Sequence, residues 1–207
     1  AARSLLLKDG RAPKVGEIMR FPALAGTLSA IAKGGRDAFY TGPIAADMVG
    51  ELNALGGLHT LADFAAQKSS YVTPISVPYN GVDLFELPPN NHGIVALILL
   101  KMLARIGKLD RDPTSAARYH VLMEAARLAY AMRDTFVADP LMADVPVEHM
   151  LSDSTIADLV KRIDPARKSD LGPVPHPAGS DTVYLAIVDK DGMAESFINS
   201  LFADFGS

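Results

Sequence analysis

The spacing of apolar residues predicts helices in the first third of the chain. Apolar residues recur at helical intervals in "LAGTLSAIAKGG" (24–35), and we expect this helix to end at its glycine pair. The segment 41–57 has a proline in its first turn and a second glycine pair at its end, which are the usual signals for the two ends of a helix. Thr60, with Asp63 three residues on, predicts a capping box that begins a third, short helix.

After these helices, the spacing of apolar residues changes from helical to alternating. Residues 73–89 alternate apolar and polar side chains on both sides of Asn80-Gly81, which predicts an antiparallel hairpin. Pro74 and Pro78 place its first strand at an edge or make it irregular. Helical spacing returns in three later segments: 91–107, 113–136 and 146–163. The first of these is apolar enough all round to be buried.

A linker and a second hairpin follow these helices. Residues 164–181, "DPARKSDLGPVPHPAGSD", are rich in Pro and Gly and poor in apolar side chains. The two strand-like runs after it, "TVYLAIVD" and "MAESFINSLF", are joined by Lys190-Asp191-Gly192, which predicts a tight turn. This order predicts an α+β fold, with a helical layer on an antiparallel sheet. The predicted regions are a helical region 1–163 with a hairpin near 73–89, a linker 164–181, and strands in 182–207.

The composition of the chain argues against several classes of function. The chain has 207 residues, of which 49% are hydrophobic and 21% charged, as in a folded globular protein. A net charge of −4, with acids and bases interleaved, gives no reason to propose a nucleic-acid or membrane-surface partner. The apolar run 93–100 is far shorter than the ~20 residues that a membrane span needs. Without cysteine the chain has no thiolate chemistry and fits a periplasmic, extracellular or cytoplasmic location.

The ionisable residues offer few candidates for chemistry. The five histidines are scattered, with no i, i+4 pair and no acid at ligand spacing, so no metal or other cofactor is expected. Four charged residues of the segment 113–136 fit either a solvated or ion-paired helix face or acid–base machinery: Glu124, Arg127, Arg133 and Asp134.

The stretch "LPPNNHG" (87–93) also has two interpretations. Its prolines and glycine predict a rigid turn that leads into the apolar helix. Either Asn90 or Asn91 caps that helix, or the turn is shaped to border a cleft.

Thr182 opens the first strand-like run directly after the linker. It fits an ordinary strand residue, because threonine is common at such positions. If the Asp181–Thr182 bond were cut, however, Thr182 would carry a hydroxyl and a free α-amine. An amine with a pKa of about 8 can accept the hydroxyl proton at neutral pH. The uncut chain has an amide nitrogen there, which cannot act as a base, and would be an inactive precursor.

Several stretches resemble the γ-glutamyltranspeptidase family, and the resemblance runs through nearly all of the chain. They are "GGRDAFYTG", "YNGVDLFELPPNNHG", "EAARLAYAMRD" and "DTVYLAIVDKDGMAESFINSLFADFGS", which occur in that order. The resemblance implies a precursor that cleaves itself before a threonine into a large and a small subunit. It also implies an αββα sandwich of the N-terminal-nucleophile class. The chain starts without Met and stops within a pattern, so we expect it to be part of such a precursor.

The family pattern assigns roles to particular residues. Thr182 matches the nucleophile, so Asp181 and Thr182 form the processing site. Thr182 then attacks the γ-amide of a glutathione-like substrate, and water or an amino acid resolves the acyl-enzyme. Ser200 matches a hydroxyl residue that hydrogen-bonds the nucleophile. The implied partners are a small-molecule γ-glutamyl or other acyl amide and the remainder of the precursor, including its small subunit.

The chain also departs from the pattern. Phe202 stands where the family has an Asn that holds the α-amino end of the γ-glutamyl group, and a phenyl ring cannot hydrogen-bond there. An acylase or amidohydrolase acting on a non-glutamyl group is therefore an alternative, and so is a non-catalytic scaffold whose linker is never cut. Val183 follows the nucleophile where many members have Thr or Ser. Since the family's upstream Arg and its oxyanion-hole glycines have no counterpart in these residues, we expect the 207-residue chain alone to be inactive.

Overall fold

The computed structural model describes residues 2–170 and 182–200. These residues form a mixed arrangement of helices and small antiparallel sheets, which confirms the predicted α+β class. The chain divides into two compact units, Ala1–Tyr71 and Val72–Ser207. The predicted regions 1–163, 164–181 and 182–207 follow the proposed processing of the chain rather than its compactness, so they stay a prediction.

The first unit is helical, and local sequence signals set most of its helix ends. Its helices are α1 (Ala2–Leu6), α2 (Pro22–Tyr40), α3 (Pro43–Ala54) and α4 (Leu61–Ala66). The capping box that begins α4 is confirmed, since the Asp63 carboxylate accepts the Thr60 N–H at 2.7 Å and the Thr60 hydroxyl accepts the Asp63 N–H at 3.3 Å. The short α1 was not predicted.

The predicted end of a helix at the glycine pair is confirmed, because Gly35 breaks the helical geometry of α2 into two segments. Gly35 has φ 61° and ψ −151°, a left-handed backbone that favours glycine, and helical geometry then resumes to Tyr40. The Arg36 guanidinium holds the short segment that follows the break. It donates to the carbonyls of Ala65 (3.0 Å) and Gln67, and it lies 4.8 Å from the centre of the Tyr40 ring. These contacts fix the last turn of α2 against the segment that follows α4.

The described part of the second unit begins and ends with a hairpin. Its elements are β1 (Ile75–Tyr79), β2 (Val82–Glu86), α5 (Ile94–Ile106), α6 (Ala116–Phe136), α7 (Val147–Met150), α8 (Asp153–Lys161), β3 (Thr182–Val188) and β4 (Ala194–Ser200). The predicted turn between β1 and β2 is confirmed, with Asn80 at φ 48° and Gly81 at φ 85°. The two hairpins form separate two-stranded sheets among the described residues.

The core of this unit surrounds α5, which packs against α6, α8 and β1. Ile94, Ile98 and Met102 of α5 are fully buried, together with Leu128 of α6. Each such side chain contributes about 1.5–3 kcal/mol of transfer free energy. This burial confirms the expectation for the apolar segment 91–107. No helix within the two described ranges is both long and apolar enough to cross a bilayer.

Candidate functional site

The two predicted catalytic positions lie opposite each other on the second hairpin. β3 and β4 pair antiparallel, and the first residue of β3, Thr182, is the Cα partner of the last residue of β4, Ser200. The two residues are 18 positions apart in sequence, and the hairpin brings them to one end of the same ladder. Asp181 and Phe202, the other two predicted site residues, lie outside the described residues.

The turn of this hairpin sets the register that joins the two positions. The Asp189 carboxylate accepts the N–H groups of Asp191 and Met193, each at 2.9 Å. Gly192 has φ 82°, and the Asp189 N–H donates to the Met193 carbonyl at 2.9 Å. The predicted Asp-Gly turn is thereby confirmed. A slip of one residue would break these bonds and would no longer place Thr182 opposite Ser200.

The strands of the hairpin are apolar and exposed. Along β3, Val183 and Ile187 expose 58% and 56% of their surface, and Ile198 of β4 exposes 62%. Apolar residues occupy both faces of β3, a pattern typical of a strand that is covered on both sides. Across the ladder, the Ser196 hydroxyl donates to the Tyr184 hydroxyl at 3.2 Å.

A buried carboxylate on α6 holds the main chain at the beginning of the linker. Glu124 exposes only 3% of its surface. Its Oε1 accepts a hydrogen bond from Arg127 Nη1 at 2.6 Å, and its Oε2 accepts the Ser169 N–H at 2.7 Å. Arg127 Nη2 completes the arrangement by donating to the Ser169 carbonyl at 3.0 Å. Both polar groups of one peptide residue are therefore held by one ion pair, which we call the Ser169 clamp.

The electrostatics of the clamp favour the charged carboxylate. Burial by itself raises the pKa of Glu124, but hydrogen bonds from Ser169 and the charge and hydrogen bond of Arg127 outweigh it and hold the pKa at about 2. The ion-paired interpretation of these α6 residues is thus confirmed, whereas a solvated face is wrong for Glu124. Arg133 and Asp134 are also paired, with Arg133 Nη2 2.6 Å from Asp134 Oδ1.

The turn before α5 borders a cavity rather than capping the helix with an asparagine. The residue that precedes α5 is Gly93, and no side chain caps the helix there. Instead the Asn91 side-chain oxygen accepts the Gly93 N–H at 2.9 Å. A Cβ at Gly93 would lie 2.9 Å from the Cβ of Glu86, so only glycine fits this close approach.

The cavity beside this turn has a volume of about 490 Å³. Its lining comprises Pro88, Pro89, Pro140, Leu141, Met142, Ala143, Asp144, Val145 and Val147. This geometry matches the second interpretation of "LPPNNHG", a turn that borders a cleft. All of the lining residues named here come from the segments 88–89 and 140–147.

Two of the described histidines, His120 and His149, make ordinary structural contacts. His120 Nε2 lies 2.8 Å from the Asp164 carbonyl and ties α6 to the start of the linker. His149 packs edge-on against Phe136, with ring centres 6.0 Å apart. Within residues 2–170 and 182–200, no three His, Asp or Glu side chains converge as metal ligands do.

The chain is similar to known proteins over nearly its whole length. The chain is 36% identical over 207 residues to the "glutathione hydrolase-like YwrD proenzyme" of Bacillus subtilis, covering 98% of this chain and 38% of that protein. It is 37% identical to the "oxamate amidohydrolase proenzyme" of Klebsiella pneumoniae, covering 97% of this chain and 37% of that protein. The crystal structure of cephalosporin acylase from Bacillus halodurans superimposes with a TM-score of 0.81 at 35% identity, covering 98% of this chain and 36% of that one.

These likenesses define the class and then the family. The fold is that of the N-terminal-nucleophile hydrolases, as the superposition on the acylase shows. The model of the γ-glutamyltranspeptidase family matches residues 1–207, so the chain belongs to that family. It spans between a third and two fifths of the length of these relatives, at 36–38%.

Sequence reasoning missed the Ser169 clamp. Glu124 and Arg127 stand three residues apart on α6, which suggests only a local ion pair. Their common partner lies 45 residues after Glu124, in the segment predicted to be a linker. The one available signal was the position of Glu124 among apolar neighbours in "VLMEAARLA", where a charged side chain needs a buried partner.

Proposed function

We propose that this chain is part of a precursor whose mature form cleaves amide bonds through Thr182, after the Asp181–Thr182 bond has been cut. Membership of the family supports the enzyme class. The observation that carries the assignment to particular residues is the pairing of Thr182 with Ser200 at the open end of the hairpin. The relatives named as proenzymes are in keeping with a precursor.

Maturation consists of an acyl shift followed by hydrolysis. The Thr182 hydroxyl oxygen attacks the carbonyl carbon of Asp181, and the C–N bond of that peptide breaks as an ester forms on the threonine oxygen. The nitrogen takes up the proton and becomes the α-amine of Thr182. Water then hydrolyses the ester, which frees the hydroxyl and leaves a carboxylate on Asp181. The new amine is the base that the uncut chain lacks.

Turnover repeats this chemistry on a substrate. The α-amine takes the proton of the Thr182 hydroxyl while its oxygen attacks the substrate carbonyl carbon. The amide C–N bond breaks, and the leaving amine departs with that proton. The resulting acyl ester is resolved by water, which gives hydrolysis, or by the amine of an amino acid, which gives transfer.

Ser200 orients the nucleophile in this scheme. Directly opposed residues of an antiparallel ladder have Cβ atoms about 4.5–5.5 Å apart, so two hydroxyl residues can reach hydrogen-bonding distance there. A serine hydroxyl can donate to the attacking oxygen or accept from it. The register set by Asp189 and Gly192 supports this role, because it keeps the two positions opposite each other.

The first candidate for the acyl donor is a glutathione-like γ-glutamyl amide, in keeping with the family. A second candidate is a non-glutamyl acyl amide. Phe202 favours it, because a phenyl ring replaces the amide that holds the γ-glutamyl amino group in the family pattern. Sequence identity does not separate the two candidates, since it is 37% to the oxamate amidohydrolase proenzyme, 35% to the cephalosporin acylase and 36% to the glutathione hydrolase-like proenzyme.

The remainder of the precursor is the partner that completes this site. We propose that it covers the exposed apolar strands and supplies the oxyanion hole and substrate contacts. The 207-residue chain alone is then inactive, since losing a single oxyanion donor costs about 10²–10³ in rate.

Mass spectrometry of the full-length protein tests the nucleophile. We expect two fragments that meet between Asp181 and Thr182, and a single intact chain in Thr182→Ala. Thr182→Ser should still cleave, because it keeps the hydroxyl. An intact wild-type chain with full amidase activity would refute the mechanism, and so would activity in Thr182→Ala.

Two further measurements test Ser200 and the donor. Ser200→Ala should lower turnover about tenfold, as loss of one hydrogen bond to the reacting group does. Ser196→Ala is the matched control, since Ser196 lies on the same strand and contacts Tyr184 instead. Assays with a γ-glutamyl anilide, oxamate and a glutaryl amide then separate the two donor classes. Turnover of the anilide supports the first, and turnover of another amide alone supports the second.

A further inference from the structure

The Ser169 clamp holds the main chain shortly before the proposed cleavage junction. Ser169 is 13 positions before Thr182. Its N–H is bound by Glu124 at 2.7 Å and its C=O by Arg127 at 3.0 Å, so both the position and the direction of this peptide are fixed. The Ser169 hydroxyl adds a separate bond to the Arg162 carbonyl at 2.9 Å.

The ion pair of the clamp is buried, unlike an ordinary surface ion pair. The side chains of Glu124 and Arg127 expose 4% and 21% of their surface, whereas the pair Asp158–Lys161 on α8 exposes 73% and 74%. Removing water from a carboxylate costs several kcal/mol, about as much as good partners return, so a hydrophobic pair could stabilise the fold equally well. An ion pair does what a hydrophobic pair cannot, which is to bind a main-chain N–H and C=O together.

We propose that Glu124 and Arg127 are positioning residues for self-cleavage. They anchor Ser169 and so fix the position and the direction from which the chain leads to the bond before Thr182. This role rests on the proposed cleavage at Asp181–Thr182. It concerns the maturation step alone, because the mature nucleophile is no longer joined to Ser169.

The size of the effect follows from what the clamp fixes. Without the two main-chain bonds, Ser169 keeps its hydroxyl bond to the Arg162 carbonyl at 2.9 Å, so the length of the tether to Thr182 changes little. Closure entropy grows only with the logarithm of length, so even a tether longer by several residues would slow the encounter less than about twofold. The larger part of the effect is loss of the fixed direction of the peptide, since small errors in placing reacting groups are costly. We expect self-cleavage to slow about three- to tenfold.

The sharpest test changes the peptide that is held and leaves the helix that holds it intact. Ser169→Pro removes the N–H that Glu124 accepts, whereas Ser169→Ala keeps the N–H and C=O and loses only the hydroxyl bond. Newly synthesised full-length protein is sampled over time, and the two fragments are quantified. Ser169→Pro should cleave three- to tenfold more slowly than the wild type, and Ser169→Ala at the wild-type rate. Glu124→Gln is a second, independent variant and should also be slow. Asp158→Asn, at the exposed pair, is its matched control.

A second readout separates positioning from a structural role. Once each slow variant has been cleaved, its amidase activity per mole of new N-terminal threonine should equal that of the wild type. Wild-type cleavage rates in Ser169→Pro and Glu124→Gln would overturn the proposal. A parallel fall in cleavage and in activity per cleaved molecule would overturn it too, because the clamp would then be structural. If the wild type itself stays intact, the proposed function fails and this role with it; normal cleavage of all variants refutes the clamp alone.

Discussion

The helical core around α5 and the hairpin 182–200 have similarly apolar sequences but opposite surroundings. Ile98 and Met102 of α5 are fully buried against α6, α8 and β1, whereas Ile187 and Ile198 of the hairpin expose 56% and 62% of their surface. The helical core finds its partners within the described residues. The hairpin has apolar residues on both faces, as a strand in the interior of a sandwich does, and its covering belongs to the rest of the precursor under the proposal above.

Because their surroundings differ, the two regions should respond differently to substitution. In the helical core, contacts within the chain account for stability, so a substitution there acts alike in the chain and in the full-length protein. In the hairpin, the internal ladder fixes register but not burial, so the effect of a substitution depends on what covers it. Measuring the same substitutions in both forms therefore tests the contrast directly.

The largest effect is expected in the core of the second unit. Leu128→Ala removes a fully buried side chain from α6 and should lower the free energy of unfolding by about 3–5 kcal/mol. Chemical denaturation of the 207-residue chain and of the full-length protein should give the same loss. A loss that appears only in the full-length protein would contradict the self-contained core.

The next effect should distinguish the hairpin from that core. Ile187→Ala should cost less than about 0.5 kcal/mol in the 207-residue chain, where the side chain is exposed. It should cost about 2–3 kcal/mol in the full-length protein, where we propose that the strand is covered. Lys190→Ala, in the exposed turn, is the control and should be neutral in both. Equal, small losses of stability in the two forms would break the comparison and argue against a covering layer.

The third prediction concerns acid stability of the clamp. The pKa of Glu124 is about 2, below its ordinary value of 4.5, so ionised Glu124 contributes stability above pH 4.5 that is lost as the pH falls to about 2. Over this window the wild type should lose more stability than Glu124→Gln, which has no charge to lose.

Two comparisons isolate the contribution of Glu124. Glu17 in the first unit also has a pKa lowered to about 2, by hydrogen bonds from Arg11, Lys8 and the Lys14 amide, so only the difference between variants is informative. Asp158→Asn, which removes an exposed acid, should follow the acid sensitivity of the wild type closely. Parallel curves for the wild type and Glu124→Gln would show that the clamp contributes nothing to acid sensitivity.

The features that could be predicted from the sequence depend on residues close together in the chain. The capping box of Thr60 and Asp63, and the turns at Asn80-Gly81 and Asp191-Gly192, are decided within four or five residues, so local chemistry identifies them. The pairing of Thr182 with Ser200 follows from such a turn and two strands of equal length.

Features that depend on distant partners could not be predicted. A second helical segment follows the break at Gly35, and its Arg36 donates to carbonyls 29 and 31 residues away. Glu124 is buried because Ser169, 45 residues on, supplies its second partner. No periodicity carries information about such contacts, since they arise only when elements pack. The same holds for Asn91, whose side chain bonds Gly93 rather than capping α5 in the usual way.

The smallest effect tests whether the helical region is stabilised locally. The Ser115 hydroxyl caps α6 by accepting the Arg118 N–H at 3.1 Å, a bond made within one turn of the same helix. The same hydroxyl also hydrogen-bonds the Asp110 carboxylate. Ser115→Ala should therefore cost about 1 kcal/mol, and Ser115→Thr should restore most of it, because its hydroxyl can make the same two bonds. Since both bonds stay within α6 and the turn before it, the loss should be identical in the 207-residue chain and in the full-length protein, as measured by denaturant midpoints at constant slope. A larger loss in the full-length protein would mean that the start of α6 contacts the rest of the precursor, and the helical region would then share the dependence that we assign to the hairpin alone.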